Sequence, residues 1–124
     1  MISDLKFKMN PNVFTSCYPD PIGQMLGTGM NRFESRHGIC GLAKETEAGK
    51  TIEILAVESV FAGAGNFRRF IHTCQENYSA ICVWHICNPI LEKALLRYGF
   101  TPETDIAPDG EVMRGLRWDR PTGK

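Results

Sequence analysis

Gly63 and Gly65 stand one residue apart between an apolar run and an amphipathic segment, and this is where the chain is best equipped for chemistry. The run before them, Ile52, Ile54, Leu55, Ala56 and Val57, is nearly unbroken, as in a strand covered on both faces. After them Phe67, Phe70, Ile71 and Cys74 fall at i, i+3, i+4 and i+7, one stripe of a helix. Arg68, Arg69, His72, Gln75 and Glu76 lie off that stripe. Glycine lets the backbone turn sharply and approach a ligand closely. A helix start aims unpaired N–H groups and partial positive charge at such a turn. The chemistry suggested is a phosphate cradle, although a lone GxG also suits an ordinary strand-to-helix connection.

Other chemistries fit less well. The turn lacks the Lys-Ser/Thr pair that a nucleotide-hydrolysing P-loop needs, and it lacks the third glycine of a dinucleotide fingerprint. Cys82, His85 and Cys87 contain zinc-ligand types, but strand alternation sets Cys82 opposite the other two and no second ligand pair exists. His85 and Cys87 share a face without a third group to orient them as base and nucleophile. His85, near the end of a central strand, is a candidate base as well as a candidate core residue.

The elements that position the turn follow from period and punctuation. Ile2–Met9 alternates apolar and charged residues and reads as a half-buried strand. Asn10–Met30, rich in Pro and Gly, reads as loop with at most a short helix near Pro21–Leu26. Asn31–Ser35 reads as a short strand, and Ile39–Lys44 and Ile52–Ser59 as antiparallel neighbours turning at Gly49. A helix over Asn66–Glu76 leads to a central strand, Ala80–Cys87. Asn88-Pro89 opens a second helix whose expected buried stripe is Ile90, Leu91, Ala94, Leu95 and Tyr98, ending at Gly99. Thr101–Ile106 and Glu111–Trp118 form a hairpin around Pro108-Asp109-Gly110. The expected fold class is α/β (α+β): a single-domain, mostly antiparallel mixed sheet with a central parallel strand pair and flanking helices, spanning residues 1–124.

Composition sets bounds. Hydrophobic residues at 43% and charged ones at 23% describe a globular chain of one domain's length. Lys+Arg and Asp+Glu are 14 each, which removes the electrostatic argument for a nucleic-acid or anionic-membrane partner. Residues 1–10 lack a signal-peptide core, and five cysteines placed mostly in core elements suit reduced thiols. A cytoplasmic protein is expected.

The stretch 51–100 resembles the GNAT superfamily of N-acetyltransferases. Leu55-Ala56-Val57 followed by Val60-Phe61-Ala62-Gly63-Ala64-Gly65 resembles its acyl-CoA motif, and CVWHICN, PILEKALLRY and Gly99-Phe100 resemble its next motif. Three departures stand out: Val60 replaces the usual Gln/Arg, Leu95 replaces the usual acid tyrosine, and the N-terminal part, residues 1–50, is abbreviated. The resemblance implies acetyl-CoA as cosubstrate, lying between parallel strands that splay after Val57 and pairing with Leu55 and Val57. The amides of Phe61, Ala62, Gly63, Ala64, Gly65 and Asn66 would hold its pyrophosphate, and Asn88 would reach its arm or serve only as a helix cap.

Acetyl transfer needs a deprotonated amine, a held oxyanion and a proton for the leaving thiolate. The resemblance gives the oxyanion to the Val57 amide. Glu53 or Glu58, set on opposite faces by alternation, is the candidate base, and Tyr98 the candidate acid. The acceptor is a small-molecule or protein amine. Exposed strand edges, with the resemblance, are compatible with a homodimer. The other reading is a catalytically degenerate GNAT-like binding or structural protein, such as those of tailed bacteriophages.

Overall fold

The computed structural model describes residues 9–25, 29–59, 65–86, 88–107 and 109–121, with the backbone alone at 23–24 and 56–59. The elements are β1 (Phe14–Pro19), α1 (Pro21–Met25), β2 (Asn31–Ser35), β3 (Ile39–Thr46), β4 (Thr51–Ser59), α2 (Asn66–Asn77), β5 (Ala80–Trp84), α3 (Pro89–Arg97), β6 (Thr101–Ile106) and β7 (Val112–Asp119). The strands form one sheet in the order β1-β2-β3-β4-β5-β7-β6. Every neighbouring pair is antiparallel except β4 and β5, which are parallel and joined through α2. This is the mixed architecture expected from the sequence.

Differences from expectation have local causes. Asn10–Met30 is not simply loop, because Phe14–Pro19 pairs with β2 as an edge strand. A register shift between Phe14 and Ser16 breaks the alternation that would have announced it. The expected strand Ile2–Met9 lies, apart from Met9, outside the described residues. β5 ends at Trp84, and His85 turns away at φ 56°. Ile90, expected in the buried stripe of α3, is 78% exposed, whereas Leu95 is fully buried.

The core forms on the helix face of the sheet. Ile52, Ile54, Ile81, Val83 and Leu116 meet Phe70, Ile71 and Cys74 of α2 and Leu95 of α3 in one cluster. Tyr78, just past α2, is buried among them and donates its hydroxyl hydrogen to the Glu45 carboxylate, which also accepts from the Asn10 amide at 2.8 Å. Burial and the neighbouring Glu45 push the Tyr78 phenol far above its usual range, so it stays a donor at any ordinary pH.

α3 starts because Asn88 adopts an extended conformation and its Oδ1 accepts from the Ile90 and Leu91 amides at 2.9 and 3.4 Å. Asn88→Ala is expected to cost about 1 kcal/mol, seen as a Tm lower by about 4 °C. Asn88→Asp should retain the cap.

Candidate functional site

β4 and β5 are paired only as far as Ile54 and Val83. Beyond that row β4 stays with β3, reaching Ser59 opposite Ile39, while β5 stays with β7. The His85 amide continues the β7 ladder by donating to the Arg114 carbonyl at 2.9 Å. Among the described residues Leu55–Ser59 therefore have no strand partner on the β5 side. The parting comes three residues earlier than the expected position after Val57.

A β-bulge accounts for the early parting. Ala43 pairs with Ile54 and Leu42 with Ala56, so Leu55 is an extra residue on β4. A bulge bends its strand and increases local twist, which carries β4 away from β5. It also ends the simple alternation by which Glu53 and Glu58 would occupy opposite faces.

Both following helices begin at this end of the parallel pair, where ligands collect in open α/β sheets. Gly65 caps α2 at φ 73°, a left-handed conformation that favours glycine, and no side chain caps the helix. The first turn of α2 holds no acidic residue but carries Arg68 and Arg69, both exposed. Cations there oppose the helix dipole, so the local electrostatics suit an incoming anion. Asn66 Oδ1 accepts from Arg69 Nη1 at 3.1 Å.

Glu53 stands opposite Cys82 in the row before the last parallel pair. Its flanking residues Ile52 and Ile54 belong to the core on the helix face, so Glu53, Cys82 and Trp84 occupy the other face. Trp84 Nε1 donates to Glu53 Oε1 at 3.1 Å, fixing the carboxylate beside the parting. Anion-ready helix start and carboxylate thus lie on opposite sides of the opening.

Of the sequence-derived site residues, Glu53 lies on β4 just before the parting and Leu55 and Val57 past it, Gly65 and Asn66 open α2, and Asn88 caps α3. Val57 lies opposite Gly41 and Glu58 opposite Cys40, each described by its backbone. Phe61, Ala62, Gly63 and Ala64, with Val60 and Cys87, lie outside the described residues. Tyr98 is not brought to the site. It caps the far end of α3, about 15 Å along the helix from Asn88 at 1.5 Å per residue. There its ring faces His72, with centroids 6.2 Å apart. His85 is exposed beyond the end of β5 rather than on it.

Cys82 is packed beneath this face, its sulfur 3.6 Å from Arg117 Nη1. Burial pushes its thiol from 9.0 up to about 11, against a smaller opposing pull from Arg117. It is therefore a core thiol rather than a nucleophile at neutral pH. Because the folded value exceeds the unfolded one, stability from this group is complete below pH 9.0 and is lost as pH rises towards 11. Fully buried Cys74 adds a loss in the same direction. Urea midpoints measured from pH 8 to 11 should fall, and Cys82→Ser should flatten part of that fall.

Among the described residues, no group of three or more His, Cys, Asp or Glu could hold a metal ion, and no helix is long and apolar enough to cross a membrane.

No family model matches the chain, and no curated protein does. A crystal structure of nourseothricin acetyltransferase is similar in fold, with a TM-score of 0.50 at 15% identity. The similarity covers 74% of this chain and 65% of that one, so the chain spans less than two thirds of that structure's length. At this identity the likeness is one of fold alone.

Proposed function

We propose that this protein is an acetyl-CoA-dependent N-acetyltransferase acting on an amine by direct attack. The observation that carries the reading is the parting of β4 from β5, at the end of the parallel pair from which α2 and its anion-ready start follow. An unpaired strand edge suits an extended ligand rich in amides, because backbone hydrogen bonds can continue the sheet. A pantetheine arm is such a ligand, and its pyrophosphate suits the start of α2. The thioester would then lie in the opening, with the acceptor amine approaching from the Glu53 face.

In that arrangement Glu53 takes the amine proton, directly or through water, as nitrogen attacks the thioester carbonyl. Amides of the β4 edge, that of Val57 foremost, hold the oxyanion while the C–S bond breaks and thiolate leaves. Glu58 is the second candidate for the base.

A specific observation favours a second reading, binding without turnover. Leu95, at the position where the resembled family carries its acid tyrosine, is fully buried in the core, and Tyr98 is at the other end of α3. The thiolate then has no assigned proton donor among these residues.

Thermal unfolding with acetyl-CoA tests the reading. Saturation at a hundredfold excess over Kd should stabilise by about 2.7 kcal/mol. Gly65→Val should lose that shift, because a β-branched residue is strained at φ 73°. Gly65→Asn should keep it. No shift with millimolar acetyl-CoA sinks the reading, and a shift without thiol release across an amine panel leaves only the binding half.

A further inference from the structure

A groove of about 480 Å³ lies between the flank of α2 and the end of α3. It is lined by Arg68, His72, Gln75, Arg97 and Tyr98. The first three recur at i, i+4 and i+7, one face of α2, and the last two close the C-terminal end of α3. No carboxylate is among the five. Neither Arg68 nor Arg97 forms an ion pair among the described residues, where guanidinium–carboxylate pairs include Arg32–Asp20 and Arg117–Asp119. Arg97 has a local reason for its place, since a cation in the last turn complements the helix dipole. Arg68 has none: it adds positive charge to the first turn of a helix that is already positive there. A residue that breaks a local rule without compensation marks a functional position more often than a structural one.

Two unpaired guanidiniums converging on one groove match a phosphate group, which they can bind in bidentate fashion. The volume is that of a small-molecule site and exceeds what a phosphate ion alone would fill. The rest of the wall offers the His72 and Tyr98 rings, with centroids 6.2 Å apart and tilted by 58°, and the Gln75 amide. Aromatic rings and an amide suit an aromatic base with its ribose. We propose that this groove binds a phosphomonoester carried on a nucleoside.

That chemistry has two sources, a free nucleotide or the 3′-phosphoadenosine end of the acyl donor proposed above, and the groove itself requires neither.

Calorimetric titration with adenosine 3′,5′-bisphosphate, and with adenosine, tests the assignment. The bisphosphate should bind, and adenosine should bind at least about tenfold more weakly. Arg68→Gln with Arg97→Gln, both exposed positions, should weaken the bisphosphate by about tenfold or more while the thermal transition persists. Tyr98→Ala should weaken both ligands. No binding of the bisphosphate at millimolar concentration, equal binding of adenosine, or unchanged affinity in the double variant overturns the proposal. Competition then separates the sources. If coenzyme A displaces the bisphosphate and binds at least about tenfold more tightly than its 3′-dephospho form, the phosphomonoester is the donor's own. If the bisphosphate binds undiminished beside saturating coenzyme A, the occupant is a free nucleotide. If coenzyme A fails to bind while the bisphosphate does, the groove stands and the acyl-transfer reading falls.

Discussion

Phe70→Ala is expected to lower stability by about 4 kcal/mol, towards the upper end for a buried aromatic, and Tm by about 15 °C. Phe70 is fully buried and is the centre of a four-ring cluster with Phe14, Phe33 and Phe67. Its ring stacks on Phe33 at 5.7 Å and 8°, and meets Phe14 edge-on at 6.2 Å, while Phe14 meets Phe33 edge-on at 5.0 Å. Removing it loses ring burial, leaves a cavity between helix and sheet, and forfeits aromatic contacts worth about 1 kcal/mol each beyond area. This contact pins α2 across β1 and β2, so the start of α2 depends on it. Phe70→Leu should cost far less, and Phe33→Ala combined with Phe70→Ala should cost less than the sum of the two. Urea unfolding monitored by circular dichroism measures both.

Gly115→Ala is expected to cost about 3 kcal/mol, a large effect for one methyl group. A Cβ at Gly115 would collide with the Val83 carbonyl oxygen and lie 2.9 Å from the Trp84 ring. The obstacle is backbone, and it cannot swing aside as a flexible side chain would. Val83 also belongs to the last row joining β5 to β4, so any relief moves the very residues that define the opening. Gly110→Ala is the contrast: φ is 89° there but nothing lies within 4 Å of the added methyl. Its cost should be only the conformational one, about 1 kcal/mol.

Most of the scaffold could be read from the chain because local signals agreed with one another. Asn31–Ser35 and Thr101–Ile106 were bounded by turn residues and form strands with those limits. Asn88-Pro89 and Gly99 marked α3 at both ends through capping chemistry alone. β1 was hidden because proline and glycine surround it and its bulge destroys the period of two. The parting of the sheet at Leu55 was equally hidden. An apolar run such as Ile54-Leu55-Ala56-Val57 carries no mark of where an extra residue will sit, since that depends on register with β3. Ile90 shows the limit of helical periodicity: as the second residue of a short helix it lies where the stripe runs past the sheet it should cover. The groove between α2 and α3 had a signal in Arg68, His72 and Gln75 at i, i+4 and i+7. Reading it required Arg97 and Tyr98 on another helix, which sequence spacing cannot supply.

The account turns on β4 having a backbone edge free to receive a ligand once β5 has left it. Amide hydrogen exchange across 55–59, followed by NMR with and without saturating acetyl-CoA, reads that edge directly. The account predicts that amides in this stretch, Val57 foremost, exchange at least about tenfold more slowly with ligand bound, as newly hydrogen-bonded groups do. Unchanged exchange across 55–59 in a sample shown to be saturated would contradict it, because the ligand would then be held without the strand edge.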